Sequence, residues 1–368
     1  MPELWLGYGT TNVVLDIKQE NLSHFVPTPH IFSKEYLYNF LSNINFLKKT
    51  LFIPLSASKA VIKILSLLID ISNSNPDFEI EIGTYPIIFQ LIRTYFSNYK
   101  KPITQIEKQD LLDKIKKYNS VIFISRVYHD PLFGFHGTPS ILMRNSGNNL
   151  MNQLFSSSSM EFPKPGEVAE PLKMALEFCN KLNIYSIDLV SYNSGIVGIH
   201  YGNTISSFQK SISSLNSMVT LYDGENRAII ASSGYEYENH LTLSNSLNFL
   251  WNIVPLLRKN GSAVLLSESS GGIGEGALKM YLEGRLSMNE IKKCNYINGL
   301  EHLLFLKCLR DEYNLGIVSS LPFYYTGKKL GLTPFNNVKE VLENFLSKYG
   351  RNSKVIVCPD PDSTLLRK

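Results

Sequence analysis

Apolar and polar positions alternate along this chain in two registers, one helical and one extended, and the two registers take turns. Between Lys34 and Phe46, the residues Tyr36, Leu37, Phe40, Leu41 and Ile44 recur at helical spacing and predict an amphipathic helix. A short apolar run at Thr50 to Leu55 predicts a strand, and Lys59 to Ile71 a half-buried helix. Turn residues at Ser72 to Pro76 lead to a strand at Phe78 to Ile82 that ends at Gly83-Thr84. Helices at Pro86–Tyr95 and Asp110–Tyr118 and a strand at Ser120–Ser125 follow, and Leu4 to Ile17 reads as a hairpin around Gly7-Tyr8-Gly9. Such β-α-β-α-β alternation predicts a parallel sheet with helices on its faces.

From Gly134 to Pro165 the pattern lapses into Ser, Asn, Gly and Pro, with a serine run at Ser156–Ser159 and a breaker at Pro163 to Gly166. A domain boundary is expected there, giving α/β domains at 1–165 and 166–368. Beyond it the alternation resumes. Helices are expected at Glu167–Leu182, Thr204–Leu215, Leu241–Arg258, Glu275–Glu283, Gly299–Asp311 and Val338–Lys348. Strands are expected at Ser186–Ser191, Gly195–His200, Val219–Tyr222, Ala228–Ser232, Ala263–Leu266, Gly316–Ser320 and Lys354–Cys358. The expected fold class is therefore α/β: two lobes of mostly parallel sheet, helices on both faces, and a ligand cleft between the lobes.

Composition changes this picture little. At 368 residues, 44% hydrophobic and 18% charged, the chain can bury two cores. The net charge of +4 comes from lysines in ones and twos within amphipathic stretches, not the dense basic stripe of a nucleic-acid binder. Cys179, Cys294, Cys308 and Cys358 have neither zinc-site nor disulfide spacing. With no basic n-region at the start and no apolar run long enough to cross a bilayer, the expectation is a cytoplasmic protein with no membrane and no nucleic-acid partner.

Candidate chemistry lies on loops after strands, where open α/β sheets bind ligands. Ser56, Ser58 and Lys59 open a helix, whose free amides and positive dipole end favour an anion; simple capping by a serine is the competing role. Gly83, Thr84 and Tyr85 form a second such turn before Pro86. The third loop places His129, Asp130 and His136 within eight residues, beside Gly134 and Gly137. Imidazoles there can exchange protons near neutrality, and the carboxylate can orient them, but the spacing fits no standard metal site. Gly271, Gly272 and Gly274 form a glycine-rich turn that would let backbone amides approach a cofactor; it is neither a P-loop nor GxGxxG.

Several segments together resemble the nickel-pincer lactate racemases. They are Leu6-Gly7-Tyr8-Gly9, Gly83-Thr84, Gly134-Phe135 with Gly137, Val254 to Gly261, Glu268 to Glu275, Gly331 to Pro334 and Val355 to Asp360. Their order and spacing span nearly the whole chain. The resemblance implies a two-lobed α/β protein, a small carboxylate such as a 2-hydroxy acid as ligand, and a lysine-tethered nickel-pincer nucleotide. The chain departs from that pattern at the chemistry. The carboxylate-handling loop reads Ser56-Ala57-Ser58-Lys59-Ala60, one proton-transfer histidine is Tyr85, and the other falls on Asp130 beside His129. The tether position falls on Ser140, the metal histidine near Ser156, and a second-lobe lysine near Asn248. Two readings follow. One is a divergent racemase or epimerase of 2-hydroxy acids, with Lys59 pairing the carboxylate and His129, Asp130 or His136 doing acid–base work. The other is a catalytically inactive relative that binds a small ligand or supports an active paralogue in a homo- or hetero-oligomer.

Overall fold

The computed structural model describes residues 3–25, 29–107, 110–157, 166–182, 184–217, 220–221, 226–291, 294–361 and 366–367. The chain opens with a hairpin, β1 (Glu3–Tyr8) and β2 (Thr11–Asp16), then β3 (Leu22–Phe25) and α1 (Lys34–Ser42). The next elements are β4 (Lys49–Pro54), α2 (Lys59–Ser74), β5 (Glu79–Thr84), α3 (Pro86–Tyr95), β6 (Ile103–Gln105), α4 (Leu111–Lys117) and β7 (Val121–Arg126). A small ribbon, β8 (Tyr128–Asp130) with β9 (Gly134–His136), leads into α5 (Thr138–Asn145), α6 (Asn148–Ser157) and α7 (Glu170–Leu182). Then come β10 (Tyr185–Tyr192), β11 (Gly195–Asn203), α8 (Thr204–Ser217), the short β12 (Thr220–Leu221) and β13 (Asn226–Ser232). The rest is α9 (Tyr237–His240), α10 (Leu243–Ile253), β14 (Leu257–Leu266), α11 (Ala277–Leu282), α12 (Leu300–Leu309), β15 (Asn314–Val318), β16 (Thr333–Phe335), α13 (Val338–Tyr349), β17 (Val355–Cys358) and β18 (Leu366–Arg367).

Two six-stranded sheets form the lobes, in the orders β11-β10-β7-β4-β5-β6 and β16-β15-β14-β13-β17-β3. All pairings in the second are parallel, and in the first only β10 with β11 runs antiparallel. Side-chain alternation explains the helices on both faces. Phe52 and Ile122 point into the core under α1 and α2, whereas Leu51, Ile53 and Phe123 meet Ile141 and Cys179 on the opposite face. In the second lobe Ala228 and Ile230 pack with Leu6 and Leu15 of the hairpin and Phe345, while Ile229 and Ala231 face Leu247, Trp251 and Leu303.

The sheets do not divide at residue 165. β10, β11 and α8 complete the first sheet, and β3 joins the edge of the second by pairing with β17. The edge strand and hairpin give the second sheet cover that its own chain segment lacks, and β10 extends the first beside β7. The stretch expected to hold the boundary is also structured: α5 and α6 lie within 138–157. Polar residues mislead here because Thr138 and Ser140 are buried, at 0% exposure, with the Thr138 hydroxyl bonded to Asp188 and that of Ser140 to the Gly137 backbone in place of water. The Pro163–Gly166 breaker falls largely outside the described residues.

Asp188 on β10 shows how such hydroxyls are used. Fully buried, its carboxylate accepts from Ser125 (2.9 Å), Thr138 (2.8 Å) and Ser186 (2.6 Å). Burial raises its pKa and the hydroxyl donors only partly oppose this. A native pKa above the unfolded value means that the folded protein holds this proton more tightly, so the stability it contributes is full at low pH and is lost as pH rises. The advantage of the wild type over Asp188→Asn should therefore shrink from pH 4 to pH 7 in urea unfolding; a constant difference would refute this.

Candidate functional site in the interlobe cleft

In each sheet the chain reverses direction of strand addition at one place, and the crevice outside the strand ends there is where open α/β sheets take ligands. In the first sheet it lies between β4 and β7, in the second between β13 and β17. The two crevices face each other. Ala57 N–H, just past β4, donates to the Glu238 carboxylate, and Lys59 N–H donates to Glu236 at 2.9 Å. In return Asp360, past β17, accepts from Asn193 N–H at 2.7 Å.

Between the lobes lies a cavity of about 530 Å³. Its first-lobe wall includes Leu55, Ile88, Tyr128, Asp130, His136 and Arg144; its second-lobe wall includes Glu238, Asn245, Asn248, Gly271, Glu301 and His302. A more open depression lies at the amino ends of β13 and β17, around Arg227 and Lys354, away from the ends where such sheets bind ligands.

A closed set of charges forms the cavity wall. Asp130 ends β8, and its Oδ1 accepts from the amides of Leu132 and Phe133, each at 2.8 Å, which pins the carboxylate at the turn. Arg144 on α5 reaches Asp130 Oδ2 at 3.3 Å and Glu301 of α12 at 2.8 Å, and donates to the Tyr296 hydroxyl at 2.8 Å. Its guanidinium also lies 5.0 Å above the Phe133 ring. Burial alone would raise the Asp130 pKa, but Arg144, His136 and the Phe133 amide outweigh it and hold the carboxyl well below the usual carboxylate range. Asp130 is thus a fixed anion, unsuited to act as a base near neutrality.

His136 differs. Its Nδ1 lies 3.4 Å from Asp130 Oδ2 and its ring stacks on Tyr128, centroids 4.4 Å apart. Burial lowers its pKa, with Asp130 opposing, so the neutral ring predominates at pH 7. A carboxylate on Nδ1 selects the tautomer with the proton there, which leaves Nε2 as the acceptor a general base needs, on a ring that lines the cavity. His302 is also neutral, since burial lowers its pKa. However, its Nδ1 accepts from Trp251 Nε1 at 2.9 Å and its ring also donates to the Ser244 backbone. It is a packed core imidazole at the cavity edge.

The expected site residues separate into two groups. Asp130, His136, Gly271 and Gly274 share the cavity wall. His129, one residue away, is fully buried against Phe135. Ser58 caps α2 by accepting from Val61 N–H, Ser56 bonds to Ser58, and the Lys59 side chain is exposed and outside the wall. Tyr85 packs among Leu51, Leu55 and Leu111, and burial pushes its phenol pKa above the ordinary value; that makes it a poor base. Thr84 is buried, and a side chain at Gly83 would strike Ile106 at 2.4 Å. Gly134 and Gly137 likewise serve close packing: an added Cβ would meet the Glu167 carbonyl at 1.8 Å and Phe208 at 2.5 Å. In the glycine turn, Gly271 N–H is spent on Leu241 O (2.7 Å), which holds the loop to the start of α10, and Gly272 N–H on Ser269 O (2.9 Å), which closes the loop on itself.

Arg144, Tyr296, Glu301, Glu236 and Glu238 are absent from the sequence reading. Arg144 sits in the stretch where a domain boundary was expected. Glu301 and His302 did carry a signal, a charged pair inside the otherwise apolar run Leu300–Leu306.

The residues present do not fit a lysine-tethered nickel group. Ser140, at the tether position, is fully buried, and its hydroxyl accepts from Gly137 N–H (3.0 Å) while donating to Gly137 O (3.1 Å). Ser156 is exposed near the end of α6. Among the described residues no three His, Cys, Asp or Glu side chains assemble to hold a metal ion, and no helix is long and apolar enough to cross a membrane.

Fold and cavity together define a two-lobed α/β protein with an interlobe ligand cleft. The fold is that of the lactate racemases: the apoprotein of the lactate racemase from Thermoanaerobacterium thermosaccharolyticum superposes with a TM-score of 0.76, at 14% sequence identity, over 100% of both chains. No family model and no curated protein matches the sequence.

Proposed function

We propose that this protein holds a small organic molecule in the interlobe cleft, with His136 as the group that exchanges a proton with it, and that it does not perform pincer-dependent lactate racemisation. The observation that carries this reading is the closed network around His136. Asp130 and Glu301 both pair with Arg144, and Tyr296 bonds into the same set, while burial keeps the imidazole that faces the cavity uncharged near neutrality. Racemisation by proton exchange needs a base on each face of the carbon, and Tyr85 supplies none to this cavity. The likeness to a lactate racemase puts 2-hydroxy acids and their amides first among ligands to try.

Two measurements test the proposal. Thermal shift and calorimetry against those compounds should find one that binds the wild type, with affinity reduced at least about tenfold in His136→Gln, about 1.4 kcal/mol. Protein produced alongside cofactor-building enzymes should show no added mass and no interconversion of D- and L-lactate. A nickel-bearing adduct with turnover, or a ligand unaffected by His136→Gln, would overturn it.

A further inference from the structure

We infer that the Glu236–His240 segment is an internal competitor for anions: its two carboxylates fill the position at the head of α2 where an external carboxylate or phosphate would bind. The inference deepens the ligand reading of the cleft and rests on it.

The position is built to receive negative charge. The first amides of a helix have no partner within it, and they sit at the positive end of its dipole. α2 has 16 residues, and its Ser58 side chain is committed to Val61 N–H. Lys59 N–H, the first amide inside the helix, and Ala57 N–H, buried one residue before the Ser58 cap, both need outside acceptors, and both receive carboxylates. Glu238 takes Ala57 N–H, and Glu236 Oε2 takes Lys59 N–H at 2.9 Å. Both acids come from the other lobe, immediately after the turn at Gly234, whose φ of 71° releases the chain from the end of β13.

The filling is imperfect, which marks it as displaceable. Glu236 is only 4% exposed, yet its Oε1 has no hydrogen-bond partner. A buried acceptor left unsatisfied offsets much of what the Oε2 bond contributes. Burial also pushes the Glu238 carboxyl up to about 7, with the Ala57 amide opposing. Glu238 and Leu55 both belong to the cavity wall. Withdrawal of the segment would therefore join the α2 amides to the cleft and turn it into a site for anions.

The test uses the full chain, with inorganic phosphate and glycolate as probes in titration calorimetry. The double variant Glu236→Ala/Glu238→Ala should bind one of them at least about tenfold more tightly than the wild type, and adding His136→Gln should leave that gain in place. Wild-type protein that binds a cleft ligand while the double variant gains no anion affinity overturns this inference and leaves the cleft reading intact; a gain without any cleft ligand does the reverse. If the double variant fails to fold, hydrogen exchange on the wild type decides. Saturating phosphate should speed exchange in 236–240 while 57–61 stay protected, and unchanged rates in 236–240 would refute the competition.

Discussion

Arg144→Met should destabilise the protein by about 3–5 kcal/mol, because it removes one partner from a buried charge network and strands the others. Asp130 and Glu301 are 2% and 3% exposed, so neither can recover its lost hydrogen bonds from water. The cost should depend on pH with a definite sign. Asp130 has a native pKa depressed below the unfolded value, so its contribution is present at neutral pH and fades as pH falls through about 4 and below. The variant should accordingly lose its disadvantage as the solution is acidified. Arg144→Lys, which keeps a charge without the planar fork, should fall between the two. Urea unfolding at pH 7 and at about pH 2.5, below the unfolded carboxyl's pKa, reads both effects, and a loss under about 1 kcal/mol at pH 7 would show that the network is solvated rather than buried.

Gly134→Ala should rank next, at about 2–5 kcal/mol. Its φ of 83° is left-handed, which costs an alanine about 1–2 kcal/mol. The new Cβ would also lie 1.8 Å from the Glu167 carbonyl, and relieving such overpacking adds about 1–3 kcal/mol. Because Gly134 opens β9, which ends at His136, the strain should reach the imidazole and weaken ligand binding beyond what lost stability explains. Calorimetric unfolding together with ligand titration separates the two consequences. Wild-type stability in the variant would mean that the loop relaxes freely and holds His136 loosely.

The sequence disclosed the architecture better than the site, for a physical reason. Hydrophobic patterning reports burial against a sheet or helix face, and the strands Lys49–Pro54, Val121–Arg126 and Asn226–Ser232 read as short continuous apolar runs because helices cover both faces of their sheets. Sheet membership is a long-range property. Nothing local tells β3 to pair with β17, over 300 residues away, or β10 to lie beside β7. The site was legible where titratable groups cluster in sequence, as at Asp130 and His136. It was opaque where partners arrive from elsewhere, as Arg144 does to Glu301 across 157 positions. Serine misled in the stretch after Gly134, though not at Ser186, which falls within an expected strand. Ser140 and Ser186 resemble surface residues by composition, yet each is fully buried because a neighbouring amide or carboxylate satisfies its hydroxyl.

One apolar cluster runs without interruption from Phe133, Met143 and Phe208 of the first lobe to Trp251, Leu303 and Phe305 of the second. Proteins that clamp a guest by swinging two bodies about a hinge need a thin, polar joint, since each opening must re-expose whatever the joint hides. Here a swing would bring that shared hydrocarbon into water at roughly 25 cal/mol for each Å² uncovered. Admission to the cleft should therefore proceed by rearrangement of small surface segments at its mouth, and small-angle scattering should record the same envelope with and without a guest.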